Sequence, residues 1–378
     1  MITLENVTKT YSDGTEAVKG VSFEIKDGNL CVLLGPSGCG KTTTMKMINR
    51  LIPITEGNIY IDSKDTKTMD ENELRRDIGY AIQEIGLFPH MTVKDNIATV
   101  PTLKNWDKEK KENRAEELLT LMGMDPDEFL EKYPTELSGG QKQRVGVARS
   151  LGADPPIMLM DEPFGAIDPI TRDRLQDEFI NIQEEIQKTI VFVTHDINEA
   201  IKMGDKVALM KDGELIQYST PAELLATPKS KFVRDFVGSD RTLKSLRLMK
   251  VEDAMKKSPR VVRKDDDLSE VASIMEEEDL TYLIVVEDGR KLKGWINRQD
   301  IESESGVVED VMSESTRAAE LGTSLAEGLT IMLERDVANL PVVDEYGTLQ
   351  GIVTFNDLQS LIGETYTERG GKHPEVTQ

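Results

Sequence analysis

One short stretch narrows the possible folds of this chain more than any other feature. Gly35-Pro-Ser-Gly-Cys-Gly-Lys-Thr42 follows the apolar run 30–34 and opens onto a helical run that begins near Lys41. A strand that ends in a glycine-rich turn and continues as a helix is a unit of a mostly parallel α/β sheet, and this spacing matches a phosphate-binding loop. Glycines let successive backbone N–H groups turn inward around phosphate oxygens at a helix N-terminus, where the dipole favours negative charge. Lys41 is then expected to reach the β- and γ-phosphates and Thr42 to ligate Mg²⁺. The candidate cradle runs through Gly35, Pro36, Ser37, Gly38, Cys39, Gly40, Lys41, Thr42 and Thr43.

A nucleotide triphosphatase also needs an acid for the metal and a group for the attacking water. Ile157-Met-Leu-Met-Asp-Glu162 delivers both at the C-terminal end of an apolar strand, where ligands gather in open α/β sheets. Asp161 reads as the metal-side carboxylate and Glu162 as the general base. Apolar runs at 30–34, 157–160 and 190–194 alternate with helical runs, whereas 93–151 reads as nearly all helix, broken at Pro134. The expectation is an α/β core with a helical insertion.

A formal net charge of −23 argues against a nucleic-acid partner, whose phosphates would repel such a surface. No run of 18 apolar residues is present, so no helix is expected to span a bilayer. Residues 1–10 lack the layout of a signal peptide, and Cys31 and Cys39 cannot build a disulfide framework, which points to a reducing compartment.

Beyond residue 250 the chain repeats itself. Val251-Glu-Asp-Ala-Met255 returns as Val308-Glu-Asp-Val-Met312, and at this offset of 57 an ungapped comparison of 251–302 with 308–359 finds 18 identities in 52 pairs. Chance gives about three. Each copy reads strand, helix, strand, strand, helix. The chain is therefore divided into a unit at 1–240, a basic connector at 241–250, copies at 251–306 and 307–363, and a polar tail at 364–378.

Leu137-Ser-Gly-Gly-Gln-Lys-Gln-Arg144 resembles the signature motif of ABC-type ATPases. The family's other motifs follow its order: Gln83 in Tyr80-Ala-Ile-Gln83, Asp168 in Gly165-Ala-Ile-Asp168, and His195 in Val193-Thr-His-Asp196. The resemblance covers residues 1 to about 238. It implies a dimer in which two chains sandwich two ATP molecules, with Ser138, Gly139, Gly140 and Gln141 of one chain facing the γ-phosphate held by the other. It also implies that His195 contacts the γ-phosphate, that Gln83 senses metal and water, that Asp168 communicates across the dimer, and that Tyr11 stacks on adenine. His90 and His373 read as surface residues.

The repeat is similar to a tandem pair of CBS domains. The resemblance implies that Thr354 and Asp357, in Gly351-Ile-Val-Thr-Phe-Asn-Asp357, hold the ribose of an adenosine ligand such as ATP, AMP or cyclic di-AMP. The first copy has Asn297 where the hydroxyl is expected, ahead of Asp300. A pair serving only for dimerisation is the alternative. ABC-type ATPases with such tails resemble importers of glycine betaine, proline betaine, choline or carnitine. That resemblance implies transmembrane permease subunits as partners, a substrate-binding protein acting through them, and a place on the cytoplasmic face of the membrane. An importer of another solute, such as an amino acid, and a soluble ABC ATPase outside transport are the alternatives, since no residue here touches the cargo.

Overall fold

The computed structural model describes residues 1–81, 86–165, 167–301, 306–314, 318–335 and 337–367, without the side chains of Ile170 and of 362–367. The chain forms two compact units, Met1–Ser239 and a second that begins at Asp240.

The first unit carries the strands β1 (Ile2–Thr10), β2 (Glu16–Ile25), β3 (Leu30–Leu34), β4 (Glu56–Ile61), β5 (Lys64–Asp65), β6 (Ile78–Ala81), β7 (Ile157–Asp161), β8 (Thr189–Thr194), β9 (Lys206–Lys211) and β10 (Glu214–Ser219). One sheet runs in the order β10-β9-β3-β8-β7-β6, parallel from β9 to β6 and closed by antiparallel β10. Strands β3, β7 and β8 are buried at every position, as expected for inner parallel strands covered on both faces. A smaller antiparallel sheet, β2-β1-β4-β5, shares a core with it that includes Leu4, Ile25, Leu33, Met45 and Leu159.

Helices α1 (Lys41–Ile48) and α2 (Glu71–Arg76) precede the insertion. The insertion consists of α3 (Val93–Ile97), α4 (Thr99–Leu103), α5 (Lys108–Leu121), α6 (Pro126–Phe129) and α7 (Gly139–Leu151), with Pro134 opening a 3-10 turn where the break was expected. After β7 come α8 (Pro169–Ile186) and α9 (Ile197–Met203), then α10 (Pro221–Ala226) and α11 (Lys231–Val237).

The second unit opens with α12 (Arg241–Leu248), and this corrects the reading of 241–250 as a connector. Leu246 is buried among Val251, Leu325, Met332 and Leu340, so the segment is part of that unit's core. The first copy follows as α13 (Val251–Ala254), β11 (Val261–Arg263), α14 (Leu268–Glu277), β12 (Tyr282–Glu287), β13 (Lys291–Asn297) and α15 (Arg298–Ile301). The second is α16 (Val308–Val311), β14 (Ser313–Glu314), β15 (Ala319–Glu320), α17 (Leu325–Arg335), β16 (Asn339–Val343), β17 (Leu349–Thr354) and α18 (Phe355–Thr367).

The copies are not spatial halves. Val251, which opens the first, is buried in the core of the second, and Val308, which opens the second, is buried in the core of the first. Backbone bonds fix the exchange: the Val251 N–H donates to the Thr323 carbonyl, and the Val308 N–H donates to Asp266. Strand β12 adds a shared layer. Leu283 and Val285 point into their own core, while Ile284 and Val286 pack with Leu349 and Ile352 of the other copy, as the two-residue period requires. The tail also begins later than 364, because α18 continues to Thr367.

Candidate functional site

The candidate cradle is built by the end of β3 and the start of α1. Gly35, Gly38 and Gly40 all adopt positive φ. At two of them a side chain is excluded outright: an added Cβ would lie 2.2 Å from the Met210 carbonyl at Gly35 and 2.4 Å from the Ala17 carbonyl at Gly40. Helix α1 has Gly40 as N-cap, no side-chain capping bond and no acidic residue in its first turn, so its leading N–H groups stay free for an anion. Pro36, Ser37 and Gly38 are exposed on the loop, Cys39 packs inward near Gly35, and Thr43 is half-buried beside Thr42. The Lys41 side chain is buried and donates to the Gly35 and Pro36 carbonyls, at 2.7 and 2.9 Å.

Three parallel strands bring the remaining chemistry to the same sheet end. Asp161 ends β7, and its Oδ1 accepts a 2.8 Å bond from the Thr42 hydroxyl. Burial raises the Asp161 carboxyl above its ordinary value, with the Thr42 bond acting against that shift. Such a desolvated acid joined to the loop hydroxyl fits a hard divalent cation with oxygen ligands. Among the described residues no group of three His, Cys, Asp or Glu is placed to hold a metal.

Glu162 follows at φ 44°, a left-handed conformation that costs a non-glycine residue roughly 1–2 kcal/mol. Its N–H donates to the Val193 carbonyl at 3.0 Å and its own carbonyl accepts from Gly165, so the turn is held on both sides. His195 leaves the end of β8, exposed, with Nδ1 3.3 Å from Glu162 Oε1. Asp196 beside it caps α9 by accepting from the Asn198 N–H.

A second anion-facing helix end lies elsewhere on this unit. Ser138 caps α7: its hydroxyl accepts from the Gln141 N–H, and Gln141 Oε1 accepts from the Ser138 N–H at 2.8 Å, a complete capping box. Local capping accounts for Ser138 and Gln141 but not for the glycines. An added Cβ at Gly139 would meet nothing within 4 Å, and one at Gly140 only the Thr171 methyl at 3.9 Å. Asp168 caps α8 by accepting from the Thr171 N–H at 3.1 Å, and it lines a cleft of about 550 Å³ together with Ser138, Gly139, Gly140 and Gln141.

Tyr11 stands, exposed, at the tip of the β1–β2 hairpin, with Lys9 Nζ 5.1 Å from its ring centre. The return strand of that hairpin carries the Ala17 carbonyl that abuts Gly40. Gln83 and His373 lie outside the described residues. His90 is exposed, 6.1 Å from Phe88.

In the second unit, Asp357 Oδ2 accepts from the Thr354 hydroxyl at 2.6 Å and from the Thr354 N–H, and Oδ1 pairs with Lys256 at 3.0 Å. Partial burial opposes its ionisation, but the Thr354 and Lys256 bonds together hold the carboxyl below its ordinary value. In the first copy Asp300 Oδ2 accepts instead from the Asn297 amide and N–H, both at 3.1 Å. The two sites thus share an architecture and differ in the group that holds the acid.

Sequence reasoning missed a buried polar cluster behind His195. Thr194, Glu199 and Gln176 are each almost wholly buried, and the Thr194 hydroxyl and Gln176 amide both donate to the Glu199 carboxylate. The signal was a charged residue at a core position of the amphipathic run 197–203.

A family model for the ABC transporter matches residues 18–165, and one for the CBS domain matches 251–305 and 308–364. The chain is 47% identical over 367 residues to the choline transport ATP-binding protein of Bacillus subtilis (strain 168), spanning 96% of both chains. It is 43% identical over 374 residues to the osmoprotectant import ATP-binding protein of Salmonella typhimurium, spanning 98% of both. Among solved structures, the dimeric structure of a bacterial ABC transporter cassette matches with a TM-score of 0.53 at 38% identity, covering 58% of this chain and 99% of that one.

Proposed function

The chain belongs to the ABC transporter ATP-binding proteins that carry a tandem pair of CBS domains, and from this premise we propose that it drives uptake of a quaternary-amine osmoprotectant, such as choline, carnitine, glycine betaine or proline betaine. The observation that carries the reading is the assembly of Lys41, Thr42, Asp161, Glu162 and His195 at one sheet end, in a chain that aligns end to end with such relatives. Uptake of labelled choline, carnitine, betaines and amino acids by cells depending on this subunit tests the cargo. Amino-acid uptake alone, or ATPase activity with no uptake, would turn the reading to its alternatives.

Gly35 to Thr43 hold the phosphates, with the α1 N–H groups and Lys41 offsetting their charge. Thr42 and Asp161 hold Mg²⁺, with Gln83 as a further ligand; the ion supplies Lewis-acid polarisation of the phosphate oxygens. Glu162 takes the proton of the attacking water, and its left-handed turn aims the carboxylate beside His195, which contacts the γ-phosphate. Tyr11 stacks on adenine.

Gly139 and Gly140 have open space in front of them, although no packing among the described residues requires glycine there. That supports close approach of a second copy, whose γ-phosphate receives the α7 N–H groups, with Asp168 alongside. The solved dimeric cassette is a precedent.

Permease subunits hold the protein at the cytoplasmic face of the membrane, and a substrate-binding protein acts through them. No helix among the described residues is long and apolar enough to cross a bilayer. Exposed Phe88 and the neighbouring half-buried Arg149 offer an apolar and cationic edge for a permease helix. Thr354 and Asp357 bind the ribose of an adenine nucleotide or cyclic di-AMP, through which the CBS pair regulates transport.

A further inference from the structure

Histidine 195 is exposed at a turn, yet the groups immediately behind it are among the most buried polar atoms of the first unit. Thr194, directly before it, is 2% exposed, Glu199 6% and Gln176 5%. Glu199 accepts from both neighbours. The Thr194 hydroxyl donates to Oε2 at 2.5 Å, and the Gln176 amide donates to Oε1 at 3.0 Å. The Thr194 hydroxyl in turn accepts from the Asp196 N–H at 3.0 Å, so the bonds bracket His195 in sequence.

This cluster reaches a second functional turn. Gln176 lies on α8, whose N-cap is Asp168, and Asp168, Arg172 and Gln176 fall on one helix face at intervals of four. The Arg172 guanidinium donates back to the Ile167 carbonyl at 2.8 Å, holding the loop just before Asp168. On the outer side Lys202 of α9 pairs with Asp173 and Asp177 of α8, each at 2.7 Å. Helices α8 and α9 are thereby bound at two depths, and the buried bond runs through a single carboxylate.

A buried carboxylate is costly unless it is bonded, and burial raises the Glu199 carboxyl above its ordinary value. A leucine or methionine would fill the same core position without that cost. We infer that Glu199 is a positioning residue: through Thr194 and Gln176 it locks the turn bearing His195 to the helix bearing Asp168, so that the γ-phosphate contact and the dimer-facing loop keep one geometry. This rests on the reading of His195 as the γ-phosphate contact. Glu199 itself touches no reacting atom, so its removal should disturb turnover and not nucleotide affinity.

The test uses steady-state hydrolysis by the full chain carrying Glu199→Ala, Glu199→Gln, Thr194→Val or His195→Ala, and the Glu199→Ala/His195→Ala double variant. Glu199→Ala should lower kcat about tenfold with KM for MgATP within about threefold, the pattern of a misplaced transition-state contact. Glu199→Gln should recover to within about threefold of the parent, because its amide oxygen still accepts from Thr194 while Gln176 can flip to accept its N–H. In the His195→Ala background the same alanine change should cost less than about twofold more, since residues acting as a unit are not additive.

An unchanged kcat in Glu199→Ala, or an equal loss in both backgrounds, would overturn the inference. If Glu199→Ala does not fold, Thr194→Val carries the same comparison, and parent-like turnover there would overturn it as well. Unimpaired His195→Ala would sink the reading of His195; a Glu199→Ala loss beside it would also sink the coupling. Impaired His195→Ala with unimpaired Glu199→Ala would sink the coupling alone.

Discussion

Replacing Gly139 and Gly140 by alanine separates what this chain needs for its own stability from what it needs to meet a partner. Both residues sit in the first turn of α7 at ordinary helical φ, and an added methyl finds either empty space or the Thr171 methyl at 3.9 Å. Glycine in a helix is less favourable than alanine by roughly 0.5–1 kcal/mol, so each change should leave stability unchanged or slightly increased. For a unit of this size 1 kcal/mol corresponds to about 2–4 °C in Tm, and the double variant should therefore melt between about 0 and 8 °C above the parent. The Ser138–Gln141 capping box involves neither side chain and survives. Function should move the other way. If these two N–H groups meet a γ-phosphate on another copy, a methyl holds that oxygen out of reach, and each lost charge-assisted bond costs roughly 1.5–3 kcal/mol. Two such losses predict at least a hundredfold fall in hydrolysis. The assays are differential scanning fluorimetry, steady-state ATPase rates, and ATP-dependent dimerisation by light scattering in a Glu162→Gln background. Hydrolysis within threefold of the parent would refute a close partner at this helix end. A fall in Tm would show instead that packing inside the chain requires the glycines.

Three further outcomes are expected. Glu162→Gln should retain ATP binding and lower turnover by about 10²–10⁴-fold, accumulating an ATP-bound dimer; substantial residual hydrolysis would move the base elsewhere. Phe88→Ala should reduce uptake by the assembled transporter more than basal hydrolysis by the free subunit, whereas equal losses would make Phe88 structural. For the second unit, calorimetry with AMP or cyclic di-AMP on the full chain should show Asp357→Ala weakening binding at least tenfold and Asp300→Ala less than threefold. That order follows from the tighter hold on Asp357, which takes a 2.6 Å bond from the Thr354 hydroxyl and pairs with Lys256, whereas Asp300 has only 3.1 Å bonds from Asn297. A larger effect of Asp300→Ala would assign the ligand to the first copy.

What the sequence determined by itself was local. A glycine at positive φ, a lysine six residues on, a strand that ends in two acids and a serine three residues before a glutamine each encode geometry within one or two turns of chain. The duplication, too, could be read by sliding the sequence along itself. Tertiary structure decided everything that depends on which distant faces meet. Glu162 and His195 come within 3.3 Å because β7 and β8 are parallel neighbours, a pairing no local pattern specifies. The basic segment 241–250 looked like a connector because it carries four cations in ten residues, yet Leu246 and the buried Lys244 make it part of a folded unit. Val251 and Val308 are equivalent in the repeat, but each is buried in the other copy's core, since a four-residue turn cannot cover an apolar side chain on its own. Glu199 reads as an ordinary helical acid until the fold encloses it between Thr194 and Gln176. Backbone conformation is set by neighbours along the chain, whereas burial is set by neighbours across it. For that reason the motifs were legible in one dimension, and the contacts that hold them in register were not.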